Sequence, residues 1–475
     1  MASQKKLLVV ALLLVSASIA GAEDIAGLPL HMQRLDPATV RLWIGDHISS
    51  TSIVAFATEK GIVVVDTFGI PAVDMRLRQV IARELGRTDF KVLINTHEHR
   101  DHTGGNSVYA DCTIIGHERV GPGMEAIAAD RERLLELYPG WIADKESELE
   151  KVDGDSSEAA RLREDLIIRR LTYEEIKADR KPFPPNTTFS DRMTLDMGDT
   201  TFDISYIGGM HTASDAAILI PERGLLLTGD TMADVWLTDT PGCLASFSVR
   251  AGIAHDFPLW LANWDRLLAS RDLITRVLPA HWNGELSIEG AEARVEYVRA
   301  LWEGVSAAEA EGRSLETVQA DFGLDTRFPG LVGSPGFDPG RHQGSISEIW
   351  TVLSDQESAA RAIYDALDQG FDEGAVREIL ADRGSTSPAY FFVEAEFNAY
   401  GYAFLQRDKV EQAIEIFRIN ADLYPDSWNV YDSLGEALLR AGNTDEAVDM
   451  YQRSLALNPE NTNGKEVLAG IRSAA

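Results

Sequence analysis

Six consecutive residues, His97-Glu98-His99-Arg100-Asp101-His102, follow a short apolar run at residues 91–96. Such a run reads as a buried strand, and a strand that stops in a cluster of ionisable groups stops at a site rather than in a core. On an extended segment residues i and i+2 point the same way, so His97 and His99 can grip one metal ion. Asp101 and His102 come as the chain turns and can face a second ion beside the first. Gly104-Gly105 follows and is expected to let the backbone turn tightly into a helix.

Three more residues extend this pattern. His211 lies in Gly208-Gly209-Met210-His211-Thr212, after a strand expected at residues 201–207. Asp230 lies in Thr228-Gly229-Asp230, after a strand at 225–227, and His281 lies in Pro279-Ala280-His281-Trp282, after a strand at 274–279. All these groups fall just beyond strand ends, where α/β sheets place their sites. Imidazole nitrogens and carboxylate oxygens suit zinc, and iron or manganese are also compatible with this donor set. His97, His99, Asp101, His102, His211, Asp230 and His281 together can hold two ions with positions left open for water or substrate.

The surrounding chain reads as layered α/β. Strands are expected at residues 51–58 and 61–67, a helix at 72–85 and a strand at 110–115. Residues 119–185 break the alternation with Leu, Glu and Arg at helical spacing, which predicts a helical insertion closed by Pro182-Phe183-Pro184-Pro185. Strands resume at 193–195 and 216–220. Residues 287–386 read as a mostly helical linking region with a Gly/Pro-rich loop at 328–344. Beyond it Gly401 recurs as Gly435, Ala413 as Ala447, Phe417 as Tyr451 and Pro425 as Pro459, each 34 residues on. Two helices per unit, with a small residue where they cross, resemble the tetratricopeptide repeat. The expected domains are 1–22, 23–286, 287–386 and 387–475.

The motif H-x-H-x-D-H with Gly-Gly after it, then G-x-H, T-G-D and a late A-H, resembles the metallo-β-lactamase superfamily of hydrolases. The likeness runs over about residues 39–285. It implies an αββα sandwich with two zinc ions at one edge of the paired sheets. By that likeness His97, His99 and His211 hold the first ion, Asp101, His102 and His281 the second, and Asp230 bridges them. An aspartate at position 230 resembles the glyoxalase II, lactonase and phosphodiesterase branches, and many true β-lactamases lack it. The implied reaction is attack by a metal-bound hydroxide on a small ester, lactone, thioester or β-lactam-type substrate, with Asp101 orienting the nucleophile and moving its proton. Two alternatives stay open. One is a mononuclear iron dioxygenase of the same superfamily, and the other is a repeat-based assembly factor with a vestigial metal site.

Net charge is −31, which argues against nucleic acid and anionic membranes as partners. Lys5-Lys6, an apolar stretch at 7–17 and Ala20-Gly21-Ala22 read as a secretory signal peptide, so a periplasmic or secreted protein is expected, with no membrane span after cleavage. In that setting Cys112 and Cys243 are expected as buried free thiols, with a disulfide as the alternative. The repeats suggest a protein partner and the metal residues a small-molecule substrate. The acidic insertion is expected to cover the site. His31, His47, His117, His255 and His342 lack a ligand pattern, and Trp236 and Trp282 are expected in core or loop packing.

Overall fold

Alternation along single strands decides the layers. In β5 (Gly61–Val65) Ile62 and Val64 join one apolar cluster, and Val63 and Val65 join another on the opposite face. In β4 (Ile53–Thr58) Ile53 and Ala55 divide from Val54 and Phe56 in the same way. A strand buried on both faces needs a layer on each side. The computed structural model supplies both, and it describes residues 23–47, 50–232, 256–281, 284–321, 339–385 and 387–474.

The first sheet runs in sequence order: β1 (Asp24–Ile25), β2 (Leu28–Asp36), β3 (Thr39–Ile44), β4, β5, β6 (Phe90–Ile94), β7 (Thr113–His117) and β8 (Thr187–Phe189). It is antiparallel as far as β5 and parallel from β5 to β8. The helix α1 (Pro71–Leu85) covers its outer face with Val73, Leu77, Val80 and Ile81. Proline opens this helix, and Gly86 closes it in the left-handed conformation at φ 64°.

The second sheet has β9 (Arg192–Asp196), β10 (Thr201–Tyr206), β11 (Ala216–Ile220), β12 (Leu225–Leu227) and β13 (Arg276–Leu278), with β13 parallel to β12. Phe202, Ile204, Ile218 and Leu227 meet Phe56, Val63 and Ile94 of the first sheet in the inner core. Each such side chain contributes about 1.5–3 kcal/mol through burial. A further helix, α6 (Phe257–Leu268), buries Trp260 and Trp264, and the Trp260 backbone leaves no more than contact distance, 3.4 Å, to a methyl group placed on Gly208. The αββα sandwich expected from the sequence is therefore present.

Several local expectations need correction. Residues 24–44 form three strands where none had a clear sequence signal, and α6 was not expected. The strand expected at 110–115 lies at Thr113–His117, because Asn106–Tyr109 is taken up in a short 3-10 turn. The segment Pro339–Ser354 is helical, so the latter part of the loop expected at 328–344 is helix, and residues 328–338 lie outside the described residues.

The insertion is helical as expected, with α2 (Arg100–Thr103) before it and α3 (Val120–Ala129), α4 (Arg131–Lys151) and α5 (Ser157–Lys177) forming it. Tyr138 of α4 stacks on Tyr173 of α5, ring centres 6.0 Å apart. Glu164 of α5 is buried and accepts hydrogen bonds from the backbone N–H groups of Asp46 and His47, at 3.1 and 2.9 Å.

The chain divides into two compact units near residue 291. Among the described residues the second is helical apart from a two-stranded pair, Glu357–Ser358 with Tyr390–Phe391. It begins within α7 (Ile288–Ala310), continues through α8 (Leu315–Asp321) and ends in the helices Glu394–Gln406, Val410–Leu423, Trp428–Arg440, Thr444–Leu457 and Thr462–Ala474. The 34-residue recurrence has a packing cause. Gly401 lies under the Phe417 ring and Gly435 under the Tyr451 ring, so in each repeat a missing Cβ lets the second helix press its aromatic onto the first. Among the described residues no helix is long and apolar enough to cross a membrane.

Candidate metal centre

The seven residues singled out by spacing converge. His97, His99, His211 and Asp230 form one group whose donor atoms all lie within 4.8 Å of one another, and Asp101, His102 and His281 form a second. Their delivery follows from the strands. β6 ends at Ile94 and leads into the histidine segment, β10 leads to His211, β12 to Asp230 and β13 to His281.

Asp230 faces both groups. Its Oδ2 lies 3.1 Å from His211 Nε2 and 3.2 Å from His281 Nε2, and its Oδ1 lies 3.4 Å from His102 Nε2. Asp101 Oδ2 sits 3.0 Å from His281 Nε2 and accepts a hydrogen bond from Thr51 Oγ1 at 3.2 Å. Elsewhere imidazole nitrogens confront each other: His99 Nδ1 and His211 Nε2 at 3.0 Å, His102 Nε2 and His281 Nε2 at 3.1 Å. Among the described residues, buried His97 Nε2 and Asp230 Oδ1 have no hydrogen-bond partner.

Electrostatics describe the same demand for positive charge. Burial opposes ionisation of Asp230, yet the surrounding His281, His102, His211 and His97 hold its carboxyl well below the usual range. Asp101 is likewise held low against burial, by His102 and His281. His281 would be lowered by burial, but Asp230 and Asp101 raise it to about 10. Burial pushes His97 well down, and the neighbouring His102 adds to that. Orphaned donor atoms, facing imidazole nitrogens and charge-starved carboxylates fit a pair of cations held by nitrogen and oxygen.

A supporting layer fixes the donors, and sequence patterns did not reveal it. Asp66 accepts from Thr96 N and Thr96 Oγ1, both at 2.8 Å, and its Oδ2 lies 3.0 Å from His102 Nδ1. Thr96 Oγ1 is 3.0 Å from His97 Nδ1, which turns the far nitrogen of His97 into the pocket. Asp215 accepts from the N–H groups of His211 and Thr212 at 2.8 and 3.0 Å, tying down the loop that carries His211. Burial raises the Asp215 carboxyl to about 6 against these bonds. Arg41, fully buried in β3, donates to the carbonyls of Pro279 and Gly284, both at 2.9 Å, on either side of His281. Such outer partners orient metal ligands and set their tautomers.

The glycine pair serves a different need from the one expected. Gly104 has φ −63°, an ordinary helical value, so no unusual turn requires it. Its missing side chain instead makes room for the carbonyl of Gly69, and Gly105 makes room for the Asp74 carboxylate.

The remaining histidines have ordinary roles where they are described. His117 stacks on Tyr206, and its Nε2 lies 3.0 Å from the Ser190 carbonyl. His31 stacks on Trp43, and His342 Nδ1 lies 2.6 Å from the Tyr297 hydroxyl. Asp46, His47 and Glu164 also gather, but Asp46 and His47 are exposed and Glu164 is engaged with backbone N–H groups. Cys112 is a buried free thiol, raised by burial to about 11. The signal segment, Trp236, Cys243, His255 and Trp282 lie outside the described residues.

Comparison with known proteins agrees with this architecture. The model of the family described as "Metallo-beta-lactamase superfamily" matches residues 44–281, and the tetratricopeptide-repeat model matches residues 428–461. The alpha subunit of 2,4-dinitroanisole O-demethylase from Nocardioides sp. strain JS1661 is 23% identical over 231 residues, covering 48% of this chain. This chain spans about half of that protein's length, 55%. Among solved structures, a metallo-beta-lactamase from Pontibacter korlensis is 15% identical with a TM-score of 0.37, covering 57% of this chain and 99% of that one. The sec-alkylsulfatase Pisa1 from Pseudomonas sp. is 12% identical with a TM-score of 0.47, covering 91% of this chain and 66% of that one. With the family model spanning half of the sequence and both donor groups lying inside the matched segment, the chain belongs to the metallo-beta-lactamase superfamily.

Proposed function

We propose that this protein is an exported, dinuclear zinc-dependent hydrolase of small ester, lactone, thioester or β-lactam-type substrates. The observation that carries this reading is the position of Asp230, whose carboxylate faces His211 on one side and His102 and His281 on the other. His97, His99 and His211 would hold one ion, Asp101, His102 and His281 the other, with Asp230 shared. When bound, such ions lower the pKa of water and polarise the group under attack.

The chain's own residues do the rest. Asp101, whose side chain is 49% exposed although its carboxylate lies among the site's imidazoles, is placed to take the proton of the attacking water and return it to the leaving group. Thr51 orients that carboxylate through its hydroxyl. Asp66 and Thr96 fix the rings of His102 and His97, and Arg41 holds the carbonyls that flank His281. Burial of His97, His102 and Asp230 keeps bulk water away from the donors. The relative named as a 2,4-dinitroanisole O-demethylase adds an aryl alkyl ether to the bonds worth testing. The repeats would dock a protein partner.

The test is turnover by purified, metal-loaded mature protein on an ester, a lactone, a thioester, a β-lactam and 2,4-dinitroanisole, with metal content measured alongside. Hydrolysis that disappears together with bound metal in Asp230→Ala is the expected result. Two bound ions with no hydrolysis of any of these, or oxygen consumption during turnover, would overturn it.

A further inference from the structure

Arg100 stands between two of the site's donor residues, His99 and Asp101, yet its side chain takes part in neither donor group. It lines a solvent-open cleft between the histidine segment and the insertion. The opposite wall carries Glu175, Arg180, Lys181 and Phe183. Two carboxylates also reach this cleft, and both are engaged. Glu98 accepts a hydrogen bond from Ser214 Oγ, and Glu175 accepts one from Arg180 Nε at 2.9 Å. Among the described residues, the side chains of Arg100 and Lys181 make neither a hydrogen bond nor a close ion pair, and the Glu175 carboxylate acts on Arg100 only at longer range. Arg100 is half-buried, so its guanidinium has already lost part of its water.

A half-buried guanidinium whose carboxylate neighbour, Glu175, stays beyond hydrogen-bond reach has donors left for another acceptor. The chain as a whole carries −31 charges and repels anions at long range. The cleft gathers three cations, Arg100, Arg180 and Lys181, against two carboxylates, Glu98 and Glu175, and is therefore a local exception. The cleft is apolar as well as charged, since Met124, Ile127 and Phe183 line it. Tyr138 of the insertion lies near enough to both Arg100 and Asp101 for their charges to act on its phenol, which places Arg100 on the side of the centre that the insertion overlooks.

We propose that this cleft is a substrate subsite, in which Arg100, supported by Lys181, binds an anionic group such as a carboxylate that is separate from the bond being broken, while the apolar lining takes the carbon skeleton next to it. The proposal deepens the hydrolase reading and rests on it for the word substrate. Anion binding in the cleft can be tested without it. Arg100 is a specificity residue, and a guanidinium is suited to it because it offers a planar pair of donors to a carboxylate.

Two measurements separate the subsite from the reaction. In the first, calorimetry follows benzoate and benzamide binding to metal-loaded protein, to Arg100→Gln and to Asp230→Ala. Benzoate binding preferred at least tenfold over benzamide, lost in R100Q at equal metal content and retained in D230A, is the expected result. Equal binding of the two probes, or benzoate binding lost in D230A but kept in R100Q, would overturn the subsite. In the second, KM and kcat are compared for 4-nitrophenyl hemisuccinate, which carries a free carboxylate, and neutral 4-nitrophenyl butyrate. The KM preference for hemisuccinate should shrink at least tenfold in R100Q, recover partly in R100K and shrink less in Lys181→Gln. An unchanged preference in R100Q would overturn it. If neither ester is cleaved, that counts against ester hydrolysis, and the calorimetric result still decides the cleft.

Discussion

The Asp66 carboxylate lies 3.0 Å from Nδ1 of His102, on the far side of the ring from Asp230 and Asp101. A carboxylate there holds the proton on Nδ1 and leaves Nε2 as a donor pointing into the site. Asp66→Asn keeps the shape but weakens that preference. The expected outcome is a 10–100-fold loss of affinity for one of two metal ions, of the order seen when such partners are changed. Metal titration followed by competition with a chelator checks it, and two unchanged affinities would refute it.

Asp101→Asn tests proton handling. It retains an oxygen that can accept from Thr51 and removes the carboxylate proposed as the base. A fall in kcat of roughly 10²–10⁴ is expected, with partial metal occupancy preserved. Turnover close to wild type would remove Asp101 from its role.

Arg41→Met would strip the donors from the Pro279 and Gly284 carbonyls. Each buried acceptor left alone costs about 1–3 kcal/mol. Lower thermal stability and reduced occupancy at the His281 side are both expected, read by calorimetry and metal analysis. Loss of stability alone, with full occupancy, would show that Arg41 does not position His281.

Asp74 predicts a pH dependence of stability. Its carboxyl is fully buried and raised by burial to about 7, against hydrogen bonds from Phe68, Gly69 and Ile70. The folded value exceeds the unfolded one, so its contribution is complete below about pH 4 and is lost as pH rises through about 7. Relative to Asp74→Asn, the wild type should lose up to about 4 kcal/mol across that window and then level off. Melting curves of both proteins from pH 4 to 8 check this, and parallel curves would contradict it.

The repeats offer a packing test. A methyl group at Gly401 would strike the Phe417 ring, whereas at Gly435 it would meet Tyr451 at 3.0 Å. Overpacking of this kind costs about 1–3 kcal/mol. Gly401→Ala should destabilise the helical unit more than Gly435→Ala, as measured by denaturant unfolding. The reverse order would contradict the closer approach of Phe417 to Gly401.

The parts of this molecule visible in its sequence are those that ride on continuous apolar runs. β6, β10, β12 and β13 are each followed within a few residues by a histidine or an aspartate of the metal groups, so all seven donors could be named from their places after strands. The supporting residues could not. In β3 the pattern Val40, Arg41, Leu42 puts Arg41 on what looks like a solvent face, and it is buried only because residues more than 230 positions later fold over it. Asp66 sits at the end of β5 like any turn residue, and its positive φ of 60° is a property of the backbone that composition does not reveal. Asp215, three residues after Thr212, carried a weak local signal as a loop-fixing carboxylate. α6 carries Trp260, Trp264 and Leu267 at helical spacing, yet twelve residues without a clear polar face read ambiguously until a sheet lies beneath them.

The two backbone hydrogen bonds that Glu164 accepts from Asp46 and His47 change what the insertion is. A flap hinged at its ends could swing freely, but this one is fastened in its middle to Asp46 and His47, just after β3. Any excursion of α5 breaks both bonds and strips the buried Glu164 carboxylate of these donors. The insertion is thus pinned to the segment that follows β3, and a relative that exchanged it for another segment would need to replace those two acceptors.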